Sequence, residues 1–358
     1  MNITSTPFIT IARFPRNARC AITTSWDDND CRNLEVMHIL DSMKMKGTFY
    51  IDPGGMCRKR NVYVDQYGKP RSYKDGLTEA QLRTLAENHE VGSHTWSHPI
   101  TVRCDSRKLR EELDRSKEYI EHVSGLPVIG ISYPHGVCSP PFESLSRECG
   151  YMFARTTRQG DIEFPPSNPY QWSISVFARD RTPSFLKGFF SRRSVISPVG
   201  NAYLRNLAFN WRTLSLRLFE KARSTHGVLH IFGHASEVLR PRLRTQFLSL
   251  CNRLAFRNDV WYATNGMLFL NEIMRKSIRV SQTHGNNRSV FVVRASPRLP
   301  RLSEEIPMSF VLEAPRLWQG EFTVDIASSS GRTELKKVSS YATINIFDCK
   351  AEIIISRT

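Results

Sequence analysis

A chain of 358 residues, 40% of them hydrophobic, can bury a large core, and its natural partition is one barrel-sized domain plus a smaller one. Lys and Arg outnumber Asp and Glu 50 to 34, a net charge of +16, yet no run approaches the length of apolar chain that a bilayer-spanning helix needs. The eight cysteines form no C-x-x-C pair or framework spacing, which excludes a disulfide scaffold and points to reduced thiols in a cytoplasmic protein; the N-terminus also lacks the charged and apolar regions of a signal peptide.

The run Cys20–Thr24 is short, partly β-branched and bounded by charge, which predicts a buried strand presenting Asp27 and Asp28 at its C-terminal edge. Such edges are where α/β folds place their chemistry. A second short stretch, Glu90–Ser93, ends in small residues and leads into His94 and His98, which face one side if the segment is helical. Adjacent aspartates and a lone His-x3-His also occur on ordinary surfaces, so order and context carry the weight here. One imidazole pair with one carboxylate holds a divalent ion and leaves positions for water and substrate, with the other carboxylate beside it as a base.

Between Arg179 and Arg223 aromatics mix with cations and acid is almost absent until Glu220. Two readings stand for the basic segment 185–219. It is either a face laid on an anionic membrane surface or a helical crossover whose apolar side packs on the barrel. Nucleic acid is not an expected partner, because no recognised binding motif accompanies the charge. Gly227–Glu237 contains an apolar strand carrying His230 and His234 on one face, and His234 at its end is the better placed to meet substrate. Beyond about residue 278 the runs Ser289–Val293, Ser309–Leu312, Phe322–Ile326, Thr343–Phe347 and Glu352–Ser356 predict a small all-β module over 288–358, after a first domain spanning 1–278.

In order, Thr24-Ser25-Trp26-Asp27-Asp28, Ser93-His94-Thr95-Trp96-Ser97-His98, Tyr133-Pro134-His135-Gly136 and His234 resemble the NodB-homology polysaccharide deacetylases, with coverage of about residues 17 to 275. The resemblance implies an α/β fold, a distorted (β/α) barrel of the NodB-homology type, here with a small C-terminal all-β appendage. It implies a divalent metal that helps hydrolyse an N-acetyl or related amide, with Asp28, His94 and His98 as ligands. Asp27 would be the base that takes the proton of the attacking water, and His234 the acid for the leaving amine. Tyr133, Pro134 and His135 would form the loop whose backbone N–H meets the oxyanion. Trp172 stands nearest to the tryptophan that lines the family's acyl pocket, and it fits a core position equally well. Zinc is the default ion, and Co²⁺, Ni²⁺, Mn²⁺ and Fe²⁺ suit the same donors.

One departure stands out. Ser132 occupies the place where many relatives carry an arginine paired with the base aspartate, and Arg155 and Arg158 are the candidates to replace it. The expected substrate is an N-acylated amino sugar in a polysaccharide, oligosaccharide or glycolipid precursor. The alternatives are a catalytically silent carbohydrate-binding relative, or an amidase or deformylase acting on another C–N bond. A cytoplasmic location is expected, with the basic segment offering peripheral contact at the inner membrane surface.

Overall fold

The computed structural model describes residues 7–56, 62–64, 70–72, 75–101, 104–179, 211–284, 288–294, 306–313, 322–328, 331, 333–338, 341–346 and 350–357. The chain divides into two compact units, one of residues 21–257 and 262–266, the other of 1–20, 258–261 and 267–358.

The chain starts with β1 (Phe8–Ile11), and the larger unit then alternates strand and helix. Its elements are β2 (Cys20–Asp27), α1 (Asn33–Ser42), β3 (Gly47–Ile51), a hairpin of β4 (Val62–Val64) and β5 (Pro70–Ser72), α2 (Glu79–Asn88), β6 (Glu90–Ser93), α3 (Ser106–Ser124), β7 (Gly130–Ser132), α4 (Pro140–Glu148), β8 (Phe153–Arg155), β9 (Val176–Phe177), a helix Trp211–Thr225, β10 (Val228–His234) and the helices Ala235–Val238 and Pro241–Leu254, among the described residues. The parallel sheet runs β8-β7-β6-β3-β2-β10-β9. Helical crossovers cover such a sheet, so its central strands are buried along their whole length, as every residue of β2 and β3 is. A parallel sheet with helical crossovers is the α/β architecture expected of a distorted (β/α) barrel.

Local chemistry explains the helices that border the site. The Asp105 carboxylate accepts the Lys108 N–H at the start of α3, and Gly125 at φ 70° ends it in the left-handed conformation that glycine adopts without strain. Between them Leu109, Leu113, Ile120 and Val123 form the buried stripe. Register then sets the edge of the sheet. Asp27 lies beside Tyr50 on β3 and beside His234 on β10, and Ser132 lies beside Arg155.

The smaller unit contains two antiparallel four-stranded sheets. One runs Phe8–Ile11, Met308–Glu313, Tyr341–Ile346, Thr333–Val338; the other runs Arg279–His284, Arg288–Arg294, Lys350–Arg357, Phe322–Ser328. Alternate residues are buried, among them Met308, Phe310 and Leu312 in the first and Phe291, Val293, Ile353 and Ile355 in the second. All five β-rich runs expected in this region are strands. The N-terminal strand β1, grouped with the barrel on sequence, instead pairs antiparallel with Met308–Glu313, where it supplies the edge of a sheet otherwise made by the C-terminal region.

Of the basic segment 185–219, residues 185–210 lie outside the described residues. The remainder begins the helix Trp211–Thr225, which buries Trp211, Leu214, Phe219 and Ala222. Among the described residues no helix is long and apolar enough to cross a membrane.

Candidate active site

The C-terminal edge of the sheet gathers the chemistry. Asp27 ends β2, and Asp28 follows at φ 75°, a left-handed conformation that aspartate tolerates better than most residues. Both carboxylates are buried. His94 follows β6, but the segment to His98 is a loop with Thr95 at φ 65° and His98 at φ 51°, not the helical turn that the spacing suggested. The loop still brings both rings to Asp28. Its Oδ1 lies 3.7 Å from His94 Nε2 and 3.9 Å from His98 Nε2, and one donor atom from each of the three residues fits within 4.8 Å of the others.

These donors fit a divalent ion. His94 Nδ1 lies 2.7 Å from the Ser132 carbonyl, which only an N–H can satisfy, so the Nε2 lone pair faces Asp28 and His98. Burial, helped by the His98 charge and opposed by Asp27 and Asp28, holds the His94 pKa down at about 4, which leaves the ring neutral at pH 7 as a ligand must be.

Asp27 is held differently. Burial alone would raise its pKa, but the Arg155 charge, then those of His94 and His234 and the Arg155 hydrogen bond, outweigh this and set it at about 2. Arg155 is fully buried, with Nη2 2.5 Å from both Asp27 oxygens, and it also touches the Ser132 hydroxyl. That hydroxyl donates to Asp27 Oδ2 at 3.0 Å, while Arg155 Nη1 donates to the Thr156 carbonyl. Arg158 points elsewhere, donating to the Gln171 carbonyl in an exposed position. The cation expected two residues before Pro134 therefore reaches Asp27 from the neighbouring strand, at the position in register with Ser132.

Removing it strands a buried carboxylate. Arg155→Ser is expected to destabilise the fold by about 3–5 kcal/mol in denaturant titration, and adding Ser132→Arg should restore much of that loss by supplying the charge from β7. A double variant no more stable than Arg155→Ser would show that the two positions are not interchangeable.

His234 ends β10 with Nε2 4.0 Å from Asp28 Oδ2 and Nδ1 3.2 Å from Glu237 Oε2. Burial lowers its pKa, but the Glu237 hydrogen bond and the Asp28, Glu237 and Asp27 charges raise it to about 9. Sequence reasoning did not single out Glu237. Its signal was an acid three residues past a histidine at a strand-to-helix turn. His230 lies deeper, bonded to Ser25 Oγ at 2.8 Å and stacked on Trp172 at 4.3 Å, in a supporting position. Phe177, half-buried, adds an apolar wall 5.5 Å from the His234 ring.

The remaining expected substrate residues separate. Tyr133, Pro134 and Trp172 are buried, Tyr133 against Phe142 and Trp172 against Phe153, Phe164 and His230, so their side chains serve packing rather than an open pocket. His135 is exposed at φ 58° with its ring 4.6 Å from His98. Gly136 follows at φ 70°, and a Cβ there would fall 2.1 Å from Thr157 Oγ1, so this turn requires glycine.

Part of the chain is similar to known proteins. Residues 16–154 match the family model described as polysaccharide deacetylase. The peptidoglycan-N-acetylmuramic acid deacetylase PdaC of Bacillus subtilis is 27% identical over 94 residues, 26% of this chain and 18% of that protein. An uncharacterised 30.6 kDa protein of Geobacillus stearothermophilus is 31% identical over 70 residues, 19% of this chain, so the chain spans about a quarter or less of these relatives. The solved structure of a candidate polysaccharide deacetylase from Mycobacterium smegmatis covers 73% of this chain and 94% of its own at 17% identity, with a TM-score of 0.47. The matched span, residues 16–154, carries Asp27, Asp28, His94 and His98, so it is over this part that the chain is similar to the polysaccharide deacetylase family.

Proposed function

We propose that the chain is a metal-dependent hydrolase that removes an N-acetyl or similar N-acyl group from an amino sugar of a polysaccharide, oligosaccharide or glycolipid precursor. The observation that carries this reading is the convergence of Asp28, His94 and His98 with an ionised Asp27 on one side and a protonated His234 on the other. A divalent ion held by those three residues supplies charge to polarise an amide carbonyl and acidify water.

The chain's own groups do the rest. Asp27, ionised through the ordinary pH range, accepts the proton of the attacking water, and Arg155 with Ser132 keeps it from rotating. For the oxyanion, the Tyr133 N–H is committed to the Arg155 carbonyl and the Gly136 N–H to Tyr133, while Pro134 has none, so His135 is the backbone donor of this turn. His234, oriented by Glu237, protonates the departing nitrogen. A silent carbohydrate-binding relative would have no use for a buried, charge-compensated base, and the name of the PdaC relative points to a glycan amide.

Zinc-loaded protein is expected to release acetate from at least one member of a panel of N-acetylglucosamine and N-acetylgalactosamine oligomers and glycolipids, and His94→Ala should lose ion and activity together. Wild type that binds an ion but cuts nothing in the panel would redirect the search to other C–N substrates. Wild type that binds no ion would overturn the site.

A further inference from the structure

The loop from His94 to His98 is strained at two residues, one of them the β-branched Thr95, so its shape must be imposed from outside. Helix α3 does this with one face. Glu112, Arg115, Ser116 and Tyr119, spaced i, i+3, i+4 and i+7, all reach the loop or its root. Arg115 lies 3.8 Å over the Trp96 ring, Tyr119 meets the same ring edge-on at 5.6 Å, and Ser116 Oγ is 2.8 Å from Ser93 Oγ.

The tightest of these grips is Glu112. Its Oε2 accepts the Ser97 N–H at 2.7 Å and its Oε1 accepts the Ser97 hydroxyl at 2.8 Å, although the residue is only 1% exposed. A carboxylate in that position is costly unless its lone pairs are filled, and a carboxylate can accept both bonds at once. The Lys108 ammonium, 3.4 Å from Oε1, is half exposed and weakly held. Ser97 directly precedes His98, so the clamp fixes the backbone that aims the second imidazole.

We infer that Glu112 is a positioning residue that sets His98 for ion binding, an inference that rests on the metal-dependent reading above. Two charge-assisted bonds to one residue define both where the loop passes and how its peptide is oriented. Losing them frees His98 to leave Asp28 and His94, so the consequence falls on affinity for the ion before it falls on the fold.

The test measures Co²⁺ affinity by chelator competition, the Co²⁺ absorption spectrum and the metal-free thermal midpoint. Glu112→Ala is expected to weaken Co²⁺ binding about 10- to 100-fold and alter the spectrum, as loss of a residue supporting a ligand does. Glu112→Gln keeps an oxygen for the Ser97 N–H and a donor for its hydroxyl, and should recover most of the affinity. Val123→Ala, at the far end of the buried stripe of α3, should lower the midpoint and leave affinity unchanged. Equal weakening by Val123→Ala, or wild-type affinity in Glu112→Ala, overturns the inference. Should Glu112→Ala fail to fold, Ser97→Ala at its exposed position should weaken binding about 2- to 10-fold, and unchanged affinity there overturns it as well. If wild type itself binds no Co²⁺, the metal-dependent reading falls and takes this inference with it; if wild type binds and Glu112→Ala binds as tightly, only this inference falls.

Discussion

Asp27→Asn is expected to keep the ion while turnover falls about 10²- to 10⁴-fold, the contribution of a positioned proton acceptor. Asparagine preserves the shape, and its oxygen can still accept from Arg155 and Ser132, but it cannot take a proton from water. Ion content by chelator competition and acetate release on the same sample separate the two effects. Full turnover would place the base elsewhere. Loss of the ion would make Asp27 a ligand, a live alternative because its Oδ2 lies 3.5 Å from His94 Nε2, as near as the Asp28 oxygen. Stability gives an independent reading. The Asp27 pKa is depressed to about 2 in the fold, so its contribution is present above its ordinary value near 3.8 and is lost as pH falls through about 2. Wild type should therefore exceed Asp27→Asn in stability at neutral pH, with the gap closing in acid.

The residues proposed as ligands, base and acid were legible because each is a short-range signal, a residue placed where an apolar run stops. Asp27, Asp28, His94 and His234 need only the strand edge to be recognised. What was not legible depends on pairing between distant segments. Choosing Arg155 over Arg158 requires the register that sets Ser132 beside Arg155, a relation between two strands that no local pattern encodes. Spacing brought His94 and His98 together correctly but suggested a helix, because it cannot distinguish a helical turn from a strained loop that a helix 15 residues farther on clamps through Glu112. The β unit shows the same division. Its apolar runs were plain, whereas Arg279–His284 and Thr333–Val338 are polar edge strands, and β1 finds its partner about 300 residues away, where sequence proximity says nothing.

His234→Ala should likewise cost about 10²- to 10⁴-fold in turnover, and the pH profile should say why. An acid must be protonated to act, so activity is expected to fall as pH rises through the His234 pKa, which stands at about 9 in the ion-free protein. Part of that elevation comes from the Asp28 and Asp27 charges, and a cation on Asp28 opposes it, so the alkaline limb of the loaded enzyme should lie lower than the ion-free titration. The Glu237 hydrogen bond is the largest raising influence and is far less exposed to the ion. Glu237→Gln should move both the limb and the ion-free titration of the His234 ring, followed by NMR, to lower pH while leaving ion affinity nearly intact. The stability linkage has the matching sign. A pKa raised from 6.5 contributes stability that is complete below about 6.5 and disappears as pH climbs through about 9, so Glu237→Gln should be less stable than wild type at pH 6 and converge with it in alkali. A limb that stays in place in Glu237→Gln would mean that His234 is not the group that protonates the leaving amine, and the exposed His135, beside His98 at the rim, would be the next residue to replace.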